Sequence, residues 1–131
     1  MAEGTMKEAF DKCYIFLSQI HGRQTLDENI ADNGGIRIAY EAYCTSLKFD
    51  GPDQSLPGIN LTQKQLFFLS FGQLWCKHKP RASAINSLHT DVHSPAKARV
   101  NVVLQNMKEF AETFNCPKGS PMNPEKKCVI W

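Results

Sequence analysis

Between Gln63 and about Lys77 the chain places Leu66, Phe67, Phe68, Leu69, Phe71, Leu74 and Trp75. Wound as a helix, these side chains fall on nearly every side, so the segment has to be buried on most of its circumference. Thr62 opens it and Pro80 closes it. A helix of this kind needs amphipathic neighbours, and the chain offers them. Thr25-Leu-Asp-Glu28 has the S/T-x-x-E form of a capping box, which starts a helix running to about Tyr43. Ile36, Ala39, Tyr40 and Tyr43 give it an apolar face at helical spacing. Gly34 and Gly35 inside it each cost up to ~1 kcal/mol relative to alanine, which makes sense where another backbone approaches closely.

Residues 6 to 20 read as a further helix, and Arg81 to Leu88 as a shorter one. Val102 to Phe114 reads as a last helix, or as a short strand followed by helix. Phe49 to Ile59 is a loop broken by Gly-Pro and Pro-Gly, and residues 89 to 101 look irregular around Pro95. A Pro/Gly-rich tail runs to Cys128 and Trp131. The expected fold is mainly α, with little or no strand, in a single unit spanning residues 1 to 131.

Charge and hydropathy exclude several classes of function. A net charge of +2, dispersed along the chain, argues against nucleic acid or an anionic membrane as partner. No apolar run approaches the ~20 residues of a membrane-spanning helix, and the first residues lack a secretory signal. Five cysteines (Cys13, Cys44, Cys76, Cys116 and Cys128) leave at least one without an internal partner. None is paired at C-x-x-C spacing, and scattered single cysteines fit extracellular disulfides best. Asn60-Leu61-Thr62 is a glycosylation sequon suited to the same compartment. A stretch of a longer secreted or membrane-anchored protein reconciles the cysteines with the missing signal.

The chemistry-bearing pattern is Glu28-Asn-Ile-Ala-Asp32. On a helix it sets two carboxylates on one face, one turn apart. That suits a carboxylate that ligates a metal, beside one that orients another ligand. A zinc hydrolase also needs two imidazoles and a general base, usually supplied as H-E-x-x-H. None of His21, His78, His89 and His93 is followed by glutamate. His89 and His93 stand four apart with Asp91 between them, but Pro95 disfavours a sustained helix there. Taken alone, Glu28 is a capping residue bonded back to Thr25, and His93 a surface histidine beside Ser-Pro.

A set of longer motifs changes the weight of these residues. ENIADNGG, LPGINL, QLFFLSFGQLWC, TDVHSPAKARVN and the ending SPMNPEKKCVIW occur in that order between Leu26 and Trp131. They resemble the neprilysin and endothelin-converting-enzyme family of zinc metallopeptidases, peptidase family M13, densely over residues 26 to 131 and poorly over 1 to 25. The resemblance implies the C-terminal helical portion of a thermolysin-like (gluzincin) catalytic domain, hydrolysing oligopeptides with one zinc ion. It implies that Glu28 is the third zinc ligand, and that Asp32 is the carboxylate holding a zinc-bound histidine in its tautomer. By the same resemblance His93 stabilises the tetrahedral oxyanion, Arg99 hydrogen-bonds a substrate carbonyl, and Leu74 and Trp75 line the hydrophobic specificity pocket. Asp27 stands where the family pattern has glycine.

The resemblance further implies a Cys13–Cys128 disulfide, partners for Cys76 and Cys116 in a preceding region, and an ectodomain location or secretion for the parent. Glu28 cannot supply three protein ligands to zinc by itself, so this chain alone is expected to be inactive and to bind zinc weakly. The missing N-terminal part of the catalytic domain is then its natural partner, and the apolar faces that part would cover favour self-association. The competing reading is a non-catalytic truncated isoform, or a recombinant binding or antigenic module.

Overall fold

The computed structural model describes residues 20 to 52 and 54 to 129. Among the described residues five helices follow one another: α1 Leu26–Asp50, α2 Gln63–Leu74, α3 Arg81–Thr90, α4 Ala96–Gln105 and α5 Lys108–Thr113. Among the described residues there is no strand, only an isolated bridge between Ser120 and Asn123. The mainly α expectation is met. The helix expected over residues 6 to 20 lies outside the described residues, apart from Ile20.

Helix α1 runs to Asp50, well past Tyr43. Nothing between Cys44 and Phe49 breaks a helix; the stop comes at Gly51, with φ 84, a conformation glycine adopts without steric cost. Gly51 also precedes Pro52, which disfavours continued helix. Helix α2 begins where Thr62 predicts, with a complete capping box: the Thr62 hydroxyl accepts from the Gln65 amide, and the Gln65 side chain accepts from the Thr62 amide. It ends at Leu74, short of Lys77, and Trp75 leaves the helical geometry.

Residues 89 to 101 are not irregular throughout. Pro95 directly precedes the first residue of α4, and its carbonyl accepts from the amides of Ala98 and Arg99. A proline costs little there because helix-start N–H groups have no intrahelical partner. Helix formers Ala96, Lys97, Ala98 and Arg99 then carry the first turn. The expected Val102–Phe114 helix is split instead between α4 and α5 at Asn106 and Met107.

Helix α1 packs on α4, α4 on α5, and α2 on α5. Their shared core is Ile36, Tyr40, Phe68, Val103, Leu104 and Met107. The Tyr40 ring stacks on Phe68 at 5.2 Å between centroids, and Phe110 meets Phe68 edge-on at 5.4 Å, offset and T-shaped arrangements that aromatic quadrupoles favour. Helix α2 departs from expectation, because only Phe68 on it is buried. Leu69 and Leu74 are exposed, as is Ile38 on α1. Of the glycine pair in α1, Gly34 is buried and a side chain at Gly35 would meet open space.

A polar knot joins the middle of α1 and the Cys128 segment to this core. The Asn106 side chain donates to Asn33 Oδ1 at 3.1 Å and accepts from the Cys128 amide at 3.0 Å. The Arg37 guanidinium donates to the Asn106 carbonyl. Buried amides of this kind are stable only when their partners are all in place.

Candidate active site

The first two turns of α1 carry a polar face made of Thr25, Glu28, Asn29 and Asp32, and the loop entering α4 docks on it. Ser94 donates to Asn29 Oδ1 at 2.7 Å, and Gln24 donates to the Asp91 carbonyl at 2.8 Å. Thr25 and Ser94 are both buried. These contacts fix residues 91 to 95 against the helix, so His93 and Arg99 arrive at α1 from a loop end and a first helical turn.

Arg99 holds Asp32 in a two-pronged grip: Nε to Oδ2 and Nη2 to Oδ1, both at 2.6 Å. The side chains are only 12% and 10% exposed, which makes this the strong class of ion pair, planar and bidentate. The Asp32 hydrogen bonds hold the Arg99 guanidinium even more firmly protonated than usual, against the opposing effect of burial. Trp75 lies beneath it, with Cζ 3.9 Å from the ring centroid, a cation–π contact. The indole N–H of Trp75 is buried with no hydrogen-bond partner among the described residues.

His93 Nε2 sits 3.2 Å from Glu28 Oε2, and Arg99 Nη2 is 3.9 Å from the same oxygen. On its other side, His93 Nδ1 and its backbone amide each lie 2.9 Å from Asp91 Oδ1. The backbone N–H, and after it the ring, hold the Asp91 carboxyl below the usual aspartate range. Glu28 is therefore not bonded back to Thr25: the α1 N-terminus has no side-chain cap. The Thr25 hydroxyl is engaged by Asn29 and the His21 carbonyl instead.

The structure thus gathers five of the residues singled out from sequence (Glu28, Asp32, Trp75, His93 and Arg99) at the junction of α1, the end of α2 and the start of α4. Leu74 is 78% exposed at the end of α2 and joins no such contact. Asn60 is exposed in the loop before α2, and Thr62 of its sequon is the residue that caps that helix. Cys128 is a free thiol, as are Cys44, Cys76 and Cys116, and Cys13 lies outside the described residues.

Asn29, Ser94 and Gln24 escaped the reading of the sequence. A signal for Asn29 was present: from the N-cap Thr25 into α1, polar residues at 25, 29, 32 and 33 lead into apolar residues at 36 and 40 along one stripe.

As a metal donor, Glu28 fits: its carboxylate is 37% exposed, and carboxylate oxygen is an ordinary zinc ligand. No group of three histidine, cysteine, aspartate or glutamate side chains converges to hold a metal among the described residues. Asp32, locked by Arg99, is poorly placed to be a second ligand, but its oxygens keep lone pairs for another donor.

A sequence model of peptidase family M13 matches residues 3–130. The chain is 55% identical to neprilysin of Oryctolagus cuniculus over 112 residues, covering 86% of this chain and 15% of that protein. It is 53% identical to endothelin-converting enzyme 1 of Bos taurus over 126 residues, covering 96% and 17%. Membrane metallo-endopeptidase-like 1 of Mus musculus is 54% identical over 112 residues, covering 86% and 15%. The chain spans about a sixth of the length of these relatives.

Proposed function

Because the chain belongs to peptidase family M13, we propose that it forms the C-terminal portion of the catalytic domain of a zinc-dependent endopeptidase acting on oligopeptides. The observation that carries this reading is the convergence of Glu28, His93 and the Asp32–Arg99 pair on one polar face, with His93 Nε2 3.2 Å from the Glu28 carboxylate. A metal donor, a candidate oxyanion donor and a fixed guanidinium stand together.

In the complete protein Glu28 would hold zinc through one oxygen, with the remaining ligands and the general base in an H-E-x-x-H outside this chain. Zinc, when bound, would supply an activated water at neutral pH. His93 donates to the oxygen of the attacked peptide bond as charge develops on it. Arg99 offers the N–H groups not spent on Asp32 to a substrate carbonyl, while Asp32 and Trp75 hold its plane in place. Asp32 keeps acceptor capacity for the N–H of a metal-bound histidine, which would fix its tautomer. Trp75, with Leu74, walls the pocket for an apolar substrate side chain. This assignment makes the parent an ectoenzyme or secreted enzyme, with Asn60 accessible for glycosylation. No helix among the described residues is long and apolar enough to cross a membrane.

The test is the coding sequence upstream of Met1, followed by zinc content and peptide hydrolysis of the complete product. An upstream H-E-x-x-H and a product that holds zinc and cleaves peptides support the proposal, and an upstream sequence without it removes the enzymatic reading. The second reading is a non-catalytic module, a truncated isoform or a recombinant binding or antigenic piece, since Glu28 by itself cannot supply the three protein ligands that a catalytic zinc needs.

A further inference from the structure

Thr25, Asn33, Ser94 and Asn106 are the buried polar side chains among the described residues, and hydrogen bonds link all four. Asn29 joins two of them: its Oδ1 accepts from Ser94 Oγ at 2.7 Å, and its Nδ2 donates to Thr25 Oγ1 at 3.0 Å. Its backbone carbonyl accepts from Asn33 Nδ2 at 2.8 Å. Asn33 Oδ1 accepts in turn from Asn106 Nδ2, and Asn106 Oδ1 from the Cys128 amide. One unbroken run of hydrogen bonds leads from the residue after His93, along α1 and past the end of α4, to the Cys128 segment.

The spacing of the sequence makes this run possible. Thr25, Asn29 and Asn33 recur every four positions, so they line one face from the N-cap into α1. Its first bond lies where the candidate site is built. Asn29 follows Glu28 and Ser94 follows His93, so the bond between them ties together the two stretches of backbone whose side chains meet at 3.2 Å. The bonds are also disposed to form together. Asn33 and Asn106 each use both ends of the side-chain amide within the run. A buried polar group left without its partner costs more than a made bond stabilises, so the loss of one bond weakens the next.

We infer that this run of amides is a positioning device: the Cys128 amide seated on Asn106 holds His93 against Glu28, with Asn33, Asn29 and Ser94 as intermediaries. Asn33 and Asn106 are then positioning residues that act on the site through Asn29 and Ser94. That the pair so held serves catalysis rests on the peptidase reading above; the coupling itself needs neither metal nor turnover.

Coupling between two places is reciprocal, so the 131-residue chain tests it in both directions. From the C-terminal segment to the site, Cys128→Pro removes the amide N–H and Cys128→Ala keeps it. At constant pH the NMR signals of the His93 ring C–H groups should move in the proline variant and stay in the alanine one. In an Asn33→Ala background, which cuts the run in its middle, Cys128→Pro should no longer move them. Circular dichroism checks that the variants keep their helicity. From the site to the C-terminal segment, Ser94→Ala should speed hydrogen exchange of the Cys128 amide by roughly two- to thirtyfold relative to the Phe68 amide of α2, which lies off the run. This second arm decides the matter even where Asn33→Ala does not fold. His93 signals that ignore Cys128→Pro, a response that survives Asn33→Ala, or Cys128 exchange that only keeps pace with Phe68 would each overturn the inference. The peptidase reading stands or falls separately, on zinc and hydrolysis in the complete product.

Discussion

His93 Nε2 and Glu28 Oε2 lie 3.2 Å apart, so the side chain proposed to ligate metal is also the partner of the side chain proposed to stabilise the oxyanion. A cation taking the Glu28 oxygen would weaken that contact and free the His93 imidazole for another acceptor. In the complete enzyme, Glu28→Ala is therefore expected to remove zinc and activity together. His93→Ala should keep zinc and lose turnover by roughly 10²- to 10³-fold, as for other oxyanion donors. Metal analysis beside kcat separates the two; zinc loss from His93→Ala would count against the assignment.

Stability should separate Asp32 from Glu28, one turn apart on α1. Asp32→Ala leaves the Arg99 guanidinium, 12% exposed, without its bidentate partner, and is expected to cost about 3 kcal/mol. Glu28 is 37% exposed, and Glu28→Ala should change stability by about 0.5 kcal/mol or less. Urea unfolding of this chain measures both. Similar losses at the two positions would mean that the grip on Asp32 is not what anchors α4 to α1.

Asp91 gives a pH signature. Its carboxyl is held below the usual aspartate range because the ionised form accepts from the His93 amide and ring. A depressed folded value means that the contribution is present above the unfolded value and is lost as pH falls through the folded one. Carbon-13 titration of the Asp91 carboxyl should show a midpoint below that of an aspartate in an unfolded peptide. A midpoint at or above the unfolded one would show that the turn does not form in solution.

Exposed apolar side chains on α1 and α2, among them Ile38, Leu69 and Leu74, favour self-association of the isolated chain. Sedimentation should show oligomers whose population falls in an Ile38→Glu/Leu74→Glu variant. A strictly monomeric chain that binds no hydrophobic dye would show that these positions form no adhesive face.

How far the sequence could be read follows from where each signal was local. Thr62 announced α2 because a capping residue acts on the backbone within its own turn. The same pattern at Thr25 misled, because Glu28 is claimed by His93 and Arg99, 65 or more positions away, and no local pattern reveals such a competitor. Pro95 was misread for a related reason: proline marks a helix start as readily as a break, and only the run after it decides. Glu28, Asp32, His93, Arg99 and Trp75 were legible through motif resemblance, and the structure brings them together without testing their roles. The partners that hold the loop down, Asn29 and Ser94, carried no motif, since their hydrogen bonds serve position rather than chemistry.

Asn106 receives the amide of Cys128 while giving its own amide to Asn33. Synthesis reaches Asn106 before Cys128, so this buried oxygen waits for a donor that lies 22 positions further along the chain. A product that stops short of Cys128 carries a desolvated acceptor in its core, at a cost of about 1 to 3 kcal/mol. The Cys128 segment acts as a clasp: chains cut before it should unfold, and be degraded, more readily than their loss of surface contacts alone would suggest.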